Sequence, residues 1–478
     1  MINVALYSAI KRSVSGRLLV YIIQFFALAL YARLFTPEEF GVIASIQVFV
    51  VFFQTIADIG FGPAIINQRK FDENQRNGVF TFTALFGFSL AIAFYLFSFI
   101  LNVFYGGYDY QNIAAIVCVS VFFNSLNIVP MTAMNKDVKF LRIAMNDVLV
   151  EIFTFFVVYS LSNLNIGVLA LASRSAVQAV LRFSFTWLSS IKTSIGRPKF
   201  GIELYHINSI LGFSLYQFGF NFINYFSRNL DNILVAKYFG MNSVGVYEKS
   251  YQLMRYPLMV TTFAMTPAIQ PILTRYRSDI CMIIREHNKL TSRLLALALP
   301  VSFFLYINSK NVTLILFGEQ WSSVIPLIEI FSFIIPLQAV LSTSGSFFQV
   351  MNKPNLMFIS GVISAVINVL AISAGVFLGE TIYVALCLVV SFSINFFQTY
   401  FILFKFCFEH SSVDFYLRLG KTVLVMLLPI AVYIIINSTI IVDFNMSIIF
   451  DILANAICGV FSLIIFLSLI KRKIIEDI

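Results

Sequence analysis

The 478 residues are 59% hydrophobic and 12% charged, with a mean hydropathy of +0.88 and a formal charge of +9. A soluble domain carries about twice that share of charge, and the apolar residues here come in runs near the ~20 that cross a bilayer as helix, which excludes soluble and β-barrel classes. In such a chain the basic excess reports loop orientation and contact with anionic headgroups, not nucleic acid.

The chain therefore reads as an all-α polytopic membrane protein with about 14 spans. Their limits are near 13–34, 41–62, 78–101, 112–132, 143–161, 166–188, 209–236, 243–270, 291–308, 324–348, 355–378, 381–404, 420–437 and 446–470. The first follows Lys11 and Arg12, has no small-residue cleavage site, and reads as a retained span. Polar residues interrupt spans 7 and 8. Alternate loops hold the basic residues, among them Arg69, Lys70, Lys136, Lys139, Arg142, Lys192, Arg197, Lys199, Arg275, Arg277, Lys353 and Lys471. The opposite loops hold mostly acids, Glu38, Glu39, Asp109, Glu319, Glu380 and Asp443, with Lys310 as an exception. The positive-inside rule then puts both termini in the cytoplasm. The longest polar segments, about 191–205, 273–290 and 406–419, fall on that side and look amphipathic, suited to lying along the interface. Five cysteines lack pairing or CxxC spacing and read as small hydrophobes; three histidines stand alone near loops, and no metal cluster is legible.

The chain also repeats itself. "LYARLFTPEEFGV" (30–42) matches "LVAKYFGMNSVGV" (234–246) at a constant offset of 204, so Gly41 and Val42 correspond to Gly245 and Val246. The same offset carries "PAI" at 63–65 onto 267–269, and "MNK" recurs at 134–136 and 351–353. The expected organisation is a six-helix bundle over 1–200, a second over 201–405, and an added helix pair with a cytoplasmic tail over 406–478. Six spans is an even number, so the repeats run parallel, as in alternating-access transporters, and a substrate site is expected between them.

Charges at the centre of a span cost about 2.5–3.5 kcal/mol each on insertion scales. Here they form stripes at helical spacing: Arg17, Tyr21 and Gln24; Gln47, Gln54 and Asp58; Asp147 and Glu151; Arg174, Gln178 and Arg182; Gln217, Asn221, Asn224, Arg228 and Asp231; Glu248, Gln252 and Arg255. Spans 9 to 14 are almost free of charge. A hydrated interior lined by Arg17, Arg174, Arg182, Arg228 and Arg255, with Gln178, Asn221 and Asn224, would suit an anion and above all a diphosphate, whose oxygens a guanidinium grips bidentately. Structural roles stay open: Arg228 paired with Asp231, Arg255 with Glu248, and Arg182 reaching the interface. Asp58, Asp147, Glu151 and Glu248 are candidates for a coupling proton or sodium ion, or for charge balance with the arginines. Pro63, Pro257 and Pro267 read as hinges or helix ends. No Walker A sequence, HExxH, dinucleotide turn or DxD-like pair is present, so neither an enzyme nor a resident cofactor is expected.

The stretch "YARLFTPEEFGVIASIQVFVVFFQTIADIGFGPAIIN" resembles the early region of bacterial oligosaccharide flippases, the Wzx-like exporters of the multidrug/oligosaccharidyl-lipid/polysaccharide superfamily. "MNKDVKFLRIA" (134–144) is similar to the basic, aromatic segment after their fourth span. The resemblance implies two MATE-like six-helix bundles plus a helix pair in the bacterial inner membrane. It further implies ion-coupled movement of an undecaprenyl-diphosphate-linked oligosaccharide to the periplasmic leaflet, for O-antigen, capsule or exopolysaccharide assembly. Membrane lipids, a polysaccharide polymerase and chain-length machinery are the implied partners. In related lipid II flippases the added pair forms a groove for the lipid tail. The competing readings are a cation-coupled drug extruder of the same fold, which the arginine excess opposes, and a membrane-embedded glycan polymerase or ligase, which the lack of a long external loop opposes. A non-transporting scaffold or scramblase is a further reading.

Overall fold

A computed structural model describes residues 2–58, 65, 72–137, 139–164, 166–203, 207–259, 269–270, 273–437, 453–457 and 459–460, apart from the side chains of 2–17, 207–224, 227, 275 and 436. No β-strand occurs among the described residues. Helix is the form that satisfies every backbone group within its own segment, which hydrocarbon demands. Two compact units form: residues 22–245, and residues 1–21 with 246–478.

The 22–245 unit is built from α1 (Ile2–Leu34, from residue 22), α2 (Pro37–Asp58), α3 (Glu73–Tyr105), α4 (Tyr110–Leu126), α5 (Ile128–Lys136), α6 (Phe140–Ser162), α7 (Val168–Ser190) and the first part of α8 (Ile207–Leu258). The sequence signals for helix starts are used. Thr36 and Glu39 form a capping box, with the Thr36 N–H donating to Glu39 Oε2 at 2.8 Å and the Glu39 N–H to Thr36 Oγ1 at 3.3 Å, and Pro37 sits at the first helical position. Asp72 and Gln75 cap α3 in the same way. The expected span 112–132 is bent by 41° between α4 and α5. Pro130 explains it, because it has no N–H for the Leu126 carbonyl one turn back. Within the unit, α4 packs against α3 and α7, and α7 against α6.

The repeat has a physical counterpart here. A Cβ added at Gly41 would overlap the Met241 carbonyl, and one added at Gly245 would overlap the Pro37 carbonyl. Pro37 and Met241 are themselves related by the offset of 204, so the two copies of the motif meet at matched glycines in a locally two-fold contact. Glycine permits this approach because any side chain would hold the backbones apart. Tyr110 closes one edge, its hydroxyl 2.8 Å from Ser45 Oγ and 3.6 Å from Met241 Sδ. Gly240, with φ 85°, breaks α8 just before this contact, which separates the expected spans 7 and 8.

The other unit continues α8 and adds α9 (Ile280–Ile307), α10 (Ser309–Leu316), α11 (Ile325–Ser332), α12 (Ile334–Leu341), α13 (Ser344–Val350), α14 (Pro354–Phe377), α15 (Thr381–Ile402) and α16 (Val413–Ile436). A 3-10 turn, Glu319–Val324, precedes α11, and a π-helical turn, Leu403–Phe408, follows α15. The expected span 324–348 is broken by 51° between α11 and α12. Pro336 leaves the Ser332 carbonyl without its helical donor, and Ser302 Oγ on α9 supplies one at 2.7 Å.

Two expectations are corrected in this unit. Residues 280–290 are not an interfacial segment but the opening turns of α9, with Glu286, His287 and Asn288 buried. His287 is accordingly no loop residue; five rings surround it, those of Phe347, Tyr400, Phe404, Phe408 and Phe415, with centroids 4.7–5.9 Å away. A polar stretch can open a crossing helix when its polar groups face neighbours rather than lipid. Of the cysteines, Cys407 is buried, Cys118 and Cys387 are half-buried, and Cys281 is exposed at the start of α9.

Among the described residues, seven helices are long and apolar enough to cross a membrane, or nine with each bent pair taken as one span. The chain is a multi-pass membrane protein. The expected spans ending at 62 and 270, with Pro63 and Pro267, run beyond the described residues, and most of 446–470 lies outside them.

Gly41→Leu or Gly245→Leu should lower the melting temperature of the purified protein, since overpacking a tight contact costs about 1–3 kcal/mol. Gly361→Ala, where an added Cβ meets nothing within 4 Å, should leave it unchanged. A melting curve for each variant in detergent checks this.

Candidate functional site

Two helices with polar stripes, α6 and α7, are sequence neighbours joined by a short turn, so they run antiparallel. Their stripes have the same four-residue step and meet rung by rung. Arg182 Nε donates to Asp147 Oδ1 at 3.0 Å. One turn along, Gln178 Nε2 donates to Glu151 Oε2 at 2.8 Å, and Arg174 Nη2 to Glu151 Oε1 at 2.9 Å. At the other end, Asn146 Nδ2 and Arg142 Nε each lie 3.3 Å from Ser189 Oγ. The Glu151 side chain is 7% exposed and that of Arg174 25%. Tyr31 of α1 completes the cluster: it is fully buried, and the Arg174 guanidinium lies over its ring, 4.3 Å from the centroid.

The structure thus brings together Arg174, Gln178 and Glu151, and separately Arg182 and Asp147. Both arginines stand against a carboxylate, and two ion-coupling candidates are those carboxylates. Arg228 and Arg255 lie on α8 with exposed side chains, whereas Asp231 is buried. Glu248, also on α8, is half-buried, and Asp58 is exposed at the end of α2. Arg17 falls on α1 and Asn221 and Asn224 on α8, with side chains outside the described residues.

Sequence reading missed Tyr31, although it lies in the repeat motif. It also missed an uncharged polar ladder between α14 and α15. There Ser360 Oγ lies 3.1 Å from Thr399 Oγ1, Ser364 Oγ donates to Gln398 Oε1 at 3.2 Å, and Asn368 Oδ1 accepts from Ser391 Oγ at 2.6 Å and Asn395 Nδ2 at 3.0 Å. Its serines, threonines and amides at helical spacing were the available signal. In the same unit an apolar pocket lies between α9 and α16, lined by Pro300, Phe303, Phe304, Pro429, Ile430, Tyr433 and Gly459.

At the end of the 22–245 unit where α6 begins and α7 finishes, residues 191–203 form a non-helical strap. Asp137 holds it, accepting the Ser194 N–H at 2.7 Å, and Arg76 Nη1 donates to the Ile195 carbonyl at 2.7 Å. Burial alone would raise the Asp137 pKa, but the Ser194 hydrogen bonds, with Lys139 and Lys136, bring it below 3.8.

The sequence from 30 to 326 matches the family described as "Polysaccharide biosynthesis protein", which is more than half of the chain. The chain belongs to that family. Its curated relatives include the teichuronic acid biosynthesis protein TuaB of Bacillus subtilis, 22% identical over 71% of this chain and 70% of that protein. The succinoglycan biosynthesis transport protein ExoT of Rhizobium meliloti is 21% identical, over 77% of this chain and 74% of its own. The lipopolysaccharide biosynthesis protein WzxC of Escherichia coli is 21% identical, over 78% and 76%. Among solved structures, the lipid II flippase MurJ in an inward closed conformation matches with a TM-score of 0.74 at 16% identity, covering 96% of this chain and 98% of that one. An inward-facing multidrug MATE transporter matches at 0.56 and 13%, over 82% and 93%. The all-α MATE-like fold and the family resemblance read from the sequence both hold.

Removing one member of a buried ion pair costs about 3–5 kcal/mol, while replacing both costs far less. Glu151→Gln and Arg174→Gln should therefore each destabilise the protein, and the double variant should be more stable than the sum of the two losses requires. A double-mutant cycle of thermal melts measures that coupling. Asp137→Asn should cost less, about 1 kcal/mol, as for a half-buried pair near the surface. A carboxylate whose pKa is lowered by folding stabilises above its unfolded value and loses that effect as pH falls through the folded value. The deficit of the variant should thus be full near neutrality and vanish in acid below 3.8, as followed by melts across pH.

Proposed function

We propose that this chain is a flippase that carries an undecaprenyl-diphosphate-linked oligosaccharide from the cytoplasmic to the periplasmic leaflet of the bacterial inner membrane, with both termini in the cytoplasm. The observation that carries the reading is the coincidence of two matches: a polysaccharide biosynthesis family over 30–326, and a near full-length likeness in fold to a lipid-linked flippase. The work is transport, not bond chemistry. The product of such a step feeds surface polysaccharide assembly, so a polysaccharide polymerase and chain-length machinery are the protein partners this reading calls for.

Within this reading the guanidinium groups divide. Arg174 and Arg182 are held by carboxylates and brace α6 against α7. Arg228 and Arg255 are exposed on α8 and are the better candidates to grip a diphosphate, and Arg17 is proposed for the same role. Asp58, Asp147, Glu151 and Glu248 are the candidates for coupling to a proton or sodium ion, Asp147 and Glu151 being the carboxylates that Arg182 and Arg174 engage.

Deleting the gene should abolish the surface glycan and leave undecaprenyl-linked oligosaccharide in the cytoplasmic leaflet; unchanged surface glycan would overturn the reading. Arg228→Ala and Arg255→Ala should each cut export severalfold with normal membrane insertion and melting. Arg174→Ala should lower export and melting temperature together, which separates a brace from a substrate contact. Quantifying surface glycan beside detergent melts gives both readouts.

A further inference from the structure

We propose that the corner where α6 begins and α7 ends is a binding site for the headgroup of an anionic phospholipid of the host bilayer. Three cations gather there. The Lys139 ammonium donates to the Lys192 carbonyl and lies 3.9 Å from Asp137, and the Arg142 guanidinium reaches Ser189. Arg142 and Lys192 are exposed. One described carboxylate, Asp137, lies among the three, and it is engaged by both the N–H and the hydroxyl of Ser194.

Charge alone would reflect membrane topology. What distinguishes this corner is the apolar surface set directly beside the charges. Phe140 is 54% exposed, Leu141 70% and Ile191 56%. In sequence they interleave with the cations: Lys139, Phe140, Leu141, Arg142 on one helix end, and Ile191, Lys192 on the other. Solvated loops do not need large exposed hydrophobes, whereas a headgroup boundary presents phosphate to the cations and acyl chain to the rings and branched side chains. Further along the strap Lys199, Phe200 and Ile202 repeat the pattern, with Phe200 73% exposed and Ile202 97%.

The corner is also stiff. Beyond the Asp137 and Arg76 anchors, Trp187 Nε1 donates to the Pro198 carbonyl at 3.1 Å, and the Arg197 guanidinium stacks on the indole at 4.3 Å. A rigid site loses less freedom on taking its ligand. Each cation near an anionic surface is worth about a fivefold preference, so three are enough to enrich one lipid class over a zwitterionic one. The inference rests on the corner's charge and apolar surface, independent of what the chain transports.

Trp187 makes the test direct. The second tryptophan, Trp321, is fully buried in the other unit. The full-length protein is reconstituted in phosphatidylcholine vesicles containing brominated phosphatidylglycerol or, at the same fraction, brominated phosphatidylcholine. The expected result is at least about twofold stronger quenching by the anionic lipid, absent in Trp187→Phe. Lys139→Gln/Arg142→Gln/Lys192→Gln should reduce the excess to the level of the zwitterionic lipid. Lys192→Glu alone, which leaves the helix ends intact, should reduce it partially if the triple variant does not fold. Equal quenching by the two lipids, or an excess that these substitutions leave intact, overturns the proposal. Displacement of the quenching by inorganic phosphate would also overturn it, making the corner a site for a soluble anion.

Discussion

The 22–245 unit depends on one constraint: a charge in a medium of low dielectric must find its partner at contact distance. The α6–α7 ladder meets it four times over two helix faces. Because Asp147 meets Arg182 and Glu151 meets Gln178 and Arg174, residue numbers rise on one helix as they fall on the other. That order fixes direction, rotation and register together. A slide of one turn would set Gln178 against Asp147 and leave Arg182 against Ile143. Apolar packing alone would discriminate less well, since neighbouring turns of α6 are all rich in Val, Leu and Phe.

The α14–α15 pair reaches the same end without charge. Hydroxyls and amides bridge it at three levels, from Ser360 through Ser364 to Asn368. Interhelical hydrogen bonds in membranes average about 0.6 kcal/mol each, so this ladder is weaker per rung than an ion pair that cannot be separated without stranding a charge. The two units therefore hold their helices by different means: one by pairs that resist exchange, the other by small polar groups whose partners are replaceable. Pro336 follows the second pattern, its lost helical bond made good by a serine hydroxyl from α9.

Much of this was legible in the sequence. Apolar runs located α14 and α15 nearly to their ends, and the 204-residue offset singled out the two glycines that later proved to touch. The stripe residues were all identified by helical period. What the period does not contain is direction across space: it finds a face but not the face opposite. Asp147 and Glu151 could have been matched to Arg182 and Arg174 by asking which neighbouring helix runs antiparallel with the same step. The opening of α9 was misread because hydropathy averages over a window and cannot see that Glu286, His287 and Asn288 turn inward. The bends at Pro130 and Pro336 were missed for the opposite reason, since apolar residues on both sides of each proline kept the average high.

The pairing also changes how the basic excess bears on transport. Within α6 and α7 the inward-facing carboxylates offset the inward-facing guanidiniums, so those arginines add little net field for an incoming anion. For a diphosphate to take Arg174, Glu151 would be left buried without its cation, a loss of several kcal/mol that new phosphate contacts would first have to recover. An arginine already exposed carries no such debt. In the proposed flippase Arg228 and Arg255 are therefore the better candidates for the headgroup, while the ladder keeps α6 and α7 in register. Conserving that division would matter more for export than the total number of arginines, because a cation moved from α8 to α7 would leave the charge of the chain unchanged and subtract it from the surface a substrate can reach.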